Sequence, residues 1–162
     1  IIDIDSCIDY YAVMIYIGRC GDWPDSNYCL WRVKKEENGQ YGDMRWRWAI
    51  FDLNSEGYTN DINPIEYVMD NDAMFHNLMQ NREFCHKFVD KIIALSENEF
   101  SAENMSTQIE SLQLNMTQAM KQNDKRFYGD DSLARYYHEM EELNSFFENR
   151  SDFLLPLLEN YK

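Results

Sequence analysis

The sequence predicts an α+β fold that is mostly helical, with one short β-hairpin and a C-terminal helical bundle. Three observations predict it: a helical pattern at the start of the chain, two strand-like segments joined by a charged connection, and helical patterns from residue 71 onward. The chain has 162 residues, 44% of them hydrophobic, which is enough to bury one sizeable core. We therefore expect residues 1–162 to form one unit.

The first half of the chain predicts a helix followed by a loop and a hairpin. Apolar residues recur at three- and four-residue spacing over residues 3–16, as in a helix with one buried face. Residues 21–27 are rich in residues that break regular structure, and strands are predicted at 28–33 and 44–51. The charged, glycine-containing connection between the strands indicates an exposed hairpin tip.

The second strand carries aromatic side chains at alternating positions. Alternation places Trp46 and Trp48 on one face together with Met44 and Ile50. This face could be a platform that stacks carbohydrate, but packing against the core is the more common arrangement for such residues. We expect the tryptophan face to point into the core.

The second half of the chain predicts a loop and then helices. Residues 55–70 are polar and contain glycine and proline, so a loop is predicted there. Ser101 and Ser151 are expected to cap two of the helices. The predicted helices cover residues 73–80, 82–95, 102–121, 132–147 and 150–158, and the third has a predicted buried stripe of Met105, Leu112, Met116 and Met120.

Charge and cysteine content exclude several function classes. The net charge is -14, which would repel the phosphate backbone, so we expect no nucleic-acid partner. A cationic protein partner, a site for divalent metals or a simply solvated acidic surface would each suit this charge. The longest apolar run, residues 12–17, is far too short to span a membrane. The four cysteines have no zinc-site spacing, although Cys20 and Cys29 could form a disulfide instead of remaining free thiols.

Three polar residues form the candidate functional site. Asp22 lies in the loop after the first helix, Asn27 follows five positions later, and Asp52 ends the second strand. Protein kinases use the same Asp-to-Asn spacing in their catalytic loop, followed by a metal-binding Asp after a strand pair. The spacing alone is also met by an Asp that bonds backbone amides, an Asn that starts a strand and an Asp that caps a turn.

Several segments around these residues match motifs of one family. Glycine, aspartate, tryptophan and proline at 21–24 precede Asn27, and Leu-Trp-Arg, Trp-x-Trp and Asp-Leu elements follow. With these motifs the chain resembles the CotH (spore coat protein H) kinase family. The matching segments are 21–27, 30–32, 45–48 and 51–53, with helical matches at 75–84 and 146–153.

The resemblance implies an atypical ATP-dependent protein kinase that acts on secreted or surface proteins at the cell envelope or outside the cell. It makes Asp22 the catalytic residue, and Asn27 and Asp52 the cofactor-binding residues that hold Mg²⁺. Two positions depart from the family pattern: Ser26 replaces the first Asn of a pair, and Asn54 replaces a second acid. The loss of that acid would weaken metal binding and makes an inactive site conceivable.

The resemblance also implies that part of the kinase domain is missing from this chain. The chain corresponds to the C-terminal lobe, and the only lysines before Asp52 are Lys34 and Lys35, in the hairpin connection. We therefore expect residues 1–162 to be a fragment without its N-terminal nucleotide-binding lobe, inactive when isolated, with any targeting segment upstream. The alternatives are a pseudokinase or acidic protein-binding module without catalysis, and a purely structural helical domain. The oligomeric state is left open.

Overall fold

The computed structural model describes residues 1–53, 60–129 and 132–162. Within these ranges the chain is α+β and mostly helical, with one two-stranded antiparallel sheet, as predicted. All four cysteines are free thiols, so Cys20 and Cys29 form no disulfide. No helix in the described ranges is long and apolar enough to cross a bilayer.

The elements are α1 (Ile4–Tyr16), β1 (Cys29–Trp31), β2 (Arg47–Ala49), α2 (Pro64–Asn71), α3 (Ala73–Met79), α4 (Arg82–Glu97), α5 (Ala102–Tyr128) and α6 (Ala134–Leu157), followed by a 3-10 turn (Leu158–Tyr161).

Helix α1 runs through the core of the molecule. The Asp3 carboxylate caps its start by accepting a hydrogen bond from the Ser6 backbone N–H at 3.1 Å. The sequence predicted a helix with one buried face, but α1 is buried on most sides because α2, α4 and β2 all pack against it. Its buried residues are Cys7, Ile8, Tyr10, Tyr11, Ala12, Met14, Ile15 and Tyr16.

The predicted loop at residues 55–70 is wrong in its last part. Helix α2 begins at Pro64, and the Asn63 side chain caps it by accepting from the backbone N–H groups of Ile65 and Glu66. Asn followed by Pro suits the cap and the first position of a helix, because a proline there loses no intrahelical hydrogen bond. Residues 55–59, the first part of the predicted loop, lie outside the described residues.

The C-terminal pair of predicted helices is one continuous helix, α6. The break expected between residues 147 and 150 does not occur, and Ser151 is a residue of the helix interior and not a cap. Its hydroxyl lies 3.0 Å from the Tyr16 hydroxyl, so the polar side chain is satisfied by a partner in α1. Such a tertiary partner leaves no signal in the local sequence.

The sheet is shorter than predicted, and its faces differ from the expected alternation. Trp48 is buried, but Trp46, Met44 and Ile50 are each at least 37% exposed, so the prediction of a common core face is wrong for these three. Strand β2 has only three residues. Met44 precedes the strand and has a φ of 58°, a left-handed conformation that interrupts the alternation of side chains between the two faces. Arg47 is instead buried, and its guanidinium pairs with the carboxylates of Asp3 and Asp43.

Helix α5 is less buried than its sequence predicts. Leu112 is 48% exposed and Met116 is 40% exposed, so the predicted buried stripe is wrong at these positions. Helix α6 is the main neighbour of α5, and one neighbouring helix covers only part of its circumference. The buried residues of α5 are Ile109 and Asp124, and Asp124 pairs with Arg135 of α6 at 2.9 Å. Ser101 stands at the cap position of α5 without a side-chain cap hydrogen bond.

Candidate functional site

The loop between α1 and β1 holds two of the three predicted site residues in direct contact. The Asn27 side-chain nitrogen Nδ2 donates to Oδ2 of Asp22 at 2.7 Å. The backbone N–H and the hydroxyl of Ser26 both donate to the Asp22 carbonyl oxygen, each at 2.7 Å. The loop therefore folds back on itself and brings Asn27 against Asp22.

The third predicted residue, Asp52, lies beside this loop through a shared partner. The Arg19 nitrogen Nη2 donates to Oδ2 of Asp22 at 2.8 Å and to the backbone carbonyl oxygen of Asp52 at 2.9 Å. Asp52 is exposed, whereas the Asp22 side chain is 30% exposed. The structure thus brings together Asp22, Asn27 and the backbone of Asp52, although the hairpin separates Asp52 from the other two residues in sequence.

Asn27 and Asp52 share an uncommon backbone conformation. Both have a φ of 54°, in the left-handed region that non-glycine residues rarely adopt. Asn and Asp tolerate this region better than other residues because their short polar side chains bond locally. Residues held in such conformations cluster at functional sites.

The loop is anchored to the rest of the molecule by aromatic side chains. Trp23 is fully buried, and its indole Nε1 donates to the Tyr10 hydroxyl at 2.9 Å. On the other side, the Tyr67 hydroxyl of α2 accepts from the Gly21 backbone N–H at 3.0 Å and donates to the Gly21 carbonyl oxygen at 3.2 Å. The residues on both sides of Asp22 in sequence, Gly21 and Trp23, are therefore fixed.

Beneath the loop lies a hydrogen-bonded network of buried hydroxyls. The Tyr11 hydroxyl donates to Oδ2 of Asp72 at 2.5 Å and lies 3.1 Å from the Tyr28 hydroxyl, which accepts from Nε1 of Trp48 at 2.8 Å. Burial raises the pKa of Tyr10 to about 12, and burial together with the Asp72 hydrogen bond raises the pKa of Tyr11. These hydroxyls stay neutral at physiological pH and serve as structural donors and acceptors.

Arg150 ties α6 to the end of α1, just before the loop. The Arg150 side chain is fully buried, and its Nε and Nη2 donate to the backbone carbonyl oxygens of Tyr16 at 2.5 Å and Ile15 at 2.7 Å. Its Nη1 donates to Oδ1 of Asn60 at 2.8 Å. The last carbonyls of a helix have no partner within the helix, so Arg150 satisfies groups at the point where α1 gives way to the loop. Burial lowers the pKa of Arg150 to about 10, which leaves it charged at neutral pH.

The Phe-x-x-x-Arg-x-x-Phe pattern, one of the motifs behind the family resemblance, has a structural explanation in α6. The Arg150 guanidinium carbon lies 5.1 Å from the Phe146 ring centroid and 5.4 Å from that of Phe153. Two aromatic rings therefore flank the buried cation. The match at 146–153 predicted no role for Arg150, and Arg19 was not predicted because no motif contains that residue.

The donor atoms at the site suit magnesium better than a transition metal. Among the described residues, no group of three or more His, Cys, Asp or Glu side chains is arranged to hold a metal ion. The predicted ligands are the Asp52 carboxylate and the Asn27 amide oxygen. Asn27 contacts the Asp22 carboxylate, and Asp52 meets this pair through its backbone carbonyl oxygen, which accepts from Arg19. Mg²⁺ prefers oxygen ligands and is usually held by one or two carboxylates together with phosphate oxygens and water. The three histidines, His76, His86 and His138, are exposed.

Comparison with known proteins identifies the family. Residues 1–154 match the family model described as CotH kinase protein. The chain belongs to the CotH kinase family. Membership suggests a kinase-like function and the use of ATP. No curated protein and no solved structure gave a match, so the likeness of this CotH chain to the C-terminal lobe of kinases stays a prediction.

One of the two departures from the CotH pattern can be placed in the structure. The Ser26 hydroxyl is used to close the turn on the Asp22 carbonyl oxygen, so serine at this position supports the contact between Asp22 and Asn27. Asn54 lies outside the described residues. The consequence of losing an acid at that position stays a prediction.

Proposed function

We propose that the full-length protein is an ATP- and Mg²⁺-dependent protein kinase that transfers a phosphoryl group to Ser or Thr of a secreted or surface protein. One observation carries the proposal: in a chain of the CotH kinase family, Asp22 and Asn27 are in contact, and Asp52 joins them through Arg19. These are the positions that the family pattern assigns to catalysis and metal binding.

Each residue has a distinct role in the proposed reaction. Asp22 orients the substrate hydroxyl and accepts its proton, because Arg19 and Asn27 hold its Oδ2 in place and its side chain is 30% exposed. Asn27, through its amide oxygen, and Asp52 hold the magnesium ion. Mg²⁺ bound to ATP would neutralise charge on the phosphate oxygens during transfer. The protein contributes positioning and electrostatic stabilisation.

A second lobe is needed to hold the nucleotide. Lys34 and Lys35 lie exposed in the connection between β1 and β2, where they cannot serve as a buried phosphate-binding lysine. We propose that a glycine-rich strand pair and such a lysine belong to the protein upstream of residue 1. The isolated 162-residue chain should then transfer no phosphate.

The test is phosphate transfer from labelled ATP by the full-length protein. Asp22→Ala should lower kcat about 10²-fold to 10⁴-fold, because a positioned acid or base contributes that much. Asp52→Ala should abolish Mg²⁺-dependent nucleotide binding. Asp25→Ala is the matched control, since Asp25 is an exposed carboxylate in the same loop. Full activity in both the Asp22 and Asp52 variants would refute the proposal, and robust transfer by the isolated chain would refute the need for a second lobe.

A second candidate is a pseudokinase that binds a cationic protein partner without catalysis. The net charge of -14 favours it, because such a surface attracts basic partners. Under this alternative, the full-length protein would bind a basic partner equally well with or without Asp22→Ala, and it would transfer no phosphate. Transfer that depends on Asp22 excludes it.

A further inference from the structure

Arg19 is a buried cation that joins the two halves of the candidate site. We propose that Arg19 is a positioning residue, which fixes Asp22 relative to Asp52 and thereby sets the Mg²⁺ affinity and the rate of phosphoryl transfer. This inference rests on the proposed function and adds a residue that neither the kinase-type spacing nor the family motifs include.

One nitrogen of Arg19 makes both contacts. Nη2 donates to Oδ2 of Asp22 at 2.8 Å and to the Asp52 carbonyl oxygen at 2.9 Å. The two acceptors come from different chain segments, the loop after α1 and the end of the hairpin. The Arg19 backbone is itself fixed, because its N–H donates to the Met14 carbonyl oxygen of α1 at 3.0 Å. Arg19 therefore relates both segments to the central helix.

Burial makes this link rigid. Arg19 is only 2% exposed, and a buried charge is tolerated only when it is paired and hydrogen-bonded. Movement of Asp22 away from Arg19 would weaken the pairing of this buried cation. The Asp22 carboxylate is therefore held where Asn27 also reaches it.

The same burial excludes direct contact with the substrate. The Arg19 side chain is only 3% exposed, so it presents almost no surface to a nucleotide or a substrate hydroxyl. Arg19 thus acts through Asp22 and Asp52. Partners that orient metal-binding residues in this way typically contribute 10-fold to 100-fold to metal affinity or activity.

The experiment compares Arg19→Met with Arg47→Met in the full-length protein. Arg47 is the matched control, because it is also buried and pairs with a carboxylate at 2.8 Å, but its partners are Asp3 and Asp43. We expect Arg19→Met to weaken the apparent Mg²⁺ affinity in nucleotide binding and to lower kcat, each by about 10-fold to 100-fold, with less change in KM for the protein substrate. Arg47→Met should leave the Mg²⁺ dependence unchanged.

A second measurement does not depend on activity. Hydrogen exchange of the backbone amides should become faster at residues 20–27 and 50–53 in Arg19→Met but not in Arg47→Met. If Arg19→Met does not fold, Arg19→Lys replaces it, since lysine keeps the charge but lacks the guanidinium geometry and should show the same changes.

The outcomes separate the two proposals. A wild-type protein that neither binds Mg²⁺-nucleotide nor transfers phosphate refutes the proposed function, and the positioning role is then decided by hydrogen exchange alone. A wild-type protein that is active, with the Arg19 and Arg47 variants alike in Mg²⁺ dependence and in exchange, overturns the role of Arg19 and leaves the proposed function standing.

Discussion

Asn27 combines an uncommon backbone conformation with a side-chain contact to Asp22. Its φ of 54° favours a residue that tolerates the left-handed region, and its amide also donates to Asp22. The sequence predicted Asn27 and Asp52 as site residues from spacing and motif, without any sign of their backbone conformation. Arg19 could not be predicted, because its role depends on contacts across 33 residues of sequence.

At position 27, alanine should destabilise the fold through the backbone. Asn27→Ala is expected to lower the free energy of unfolding by about 1–2 kcal/mol, because alanine lacks the short polar side chain that lets asparagine tolerate the left-handed conformation. Asn27→Gly also loses the hydrogen bond to Asp22 but tolerates this φ, so it separates the two effects. Urea unfolding of both variants measures them. Equal stability of the alanine and glycine variants would show that the conformation costs nothing here.

At position 150, loss of the buried cation should destabilise the whole chain. Arg150→Met removes one hydrogen bond each to the Tyr16 carbonyl oxygen, the Ile15 carbonyl oxygen and Asn60, so we expect the free energy of unfolding to fall by about 3 kcal/mol. Arg45→Met is the control, because Arg45 is largely exposed and should change stability by less than about 0.5 kcal/mol. Equal midpoints of urea unfolding in the two variants would contradict the capping role.

Among the elements, the sequence predicted helix existence better than helix limits. The helix at 3–16 agrees with α1 to within a residue, because its apolar spacing is strong. Helix α2 was missed because Asn followed by Pro, as at Asn63 and Pro64, is typical of turns as well as of helix starts. The single helix α6 was divided in two, because Ser151 is typical of a helix cap and its partner in α1 leaves no signal in the local sequence.

The cap of α2 can be tested directly. Asn63→Ala should lower the free energy of unfolding by about 1 kcal/mol, because the backbone N–H groups of Ile65 and Glu66 lose their acceptor. Asn63→Asp should retain most of the stability, since a carboxylate also caps and favours the helix N-terminus. Asn115→Ala, at an exposed position within α5, is the control and should change little. A loss in the control as large as at position 63 would contradict the cap assignment.

The whole molecule is organised around α1, which joins the core to the candidate site. The α+β class followed from local patterns, but the packing of α2, α4 and β2 around α1 did not, because local periodicity does not specify which faces meet. The same limit applies to the site. The motif predicted its residues, and only the fold shows that they lie together.

The buried Cys7 thiol and Tyr10 hydroxyl of α1 predict a loss of stability at alkaline pH. Burial raises the pKa of Cys7 from 9.0 to about 12 and that of Tyr10 from 10.0 to about 12. Above pH 9 the unfolded chain releases these protons while the folded chain keeps them, so the free energy of unfolding falls as pH rises. We expect a loss of roughly 1 kcal/mol per pH unit near pH 10 from Cys7 alone.

Urea unfolding at neutral pH and in steps up to pH 11 measures this dependence. The deprotonation of Arg150 acts in the opposite direction, but only above about pH 10, where its lowered pKa lies. Cys7→Ala should flatten the pH dependence between pH 9 and 10. An unchanged slope in that variant would show that the Cys7 thiol is not the group responsible.

The contacts of Arg19 and Gly21 also bear on how chain length can vary in this protein. Arg19 donates a hydrogen bond to the Asp52 carbonyl oxygen, and the Gly21 N–H donates one to the Tyr67 hydroxyl. Both ends of the chain between Asp52 and Tyr67 therefore contact the same loop. The entropy of closing a loop grows only with the logarithm of its length, by about 0.6 kcal/mol for each doubling. The positions of Asp22 and Asp52 should therefore depend on these two contacts more than on the number of residues between Asp52 and Tyr67.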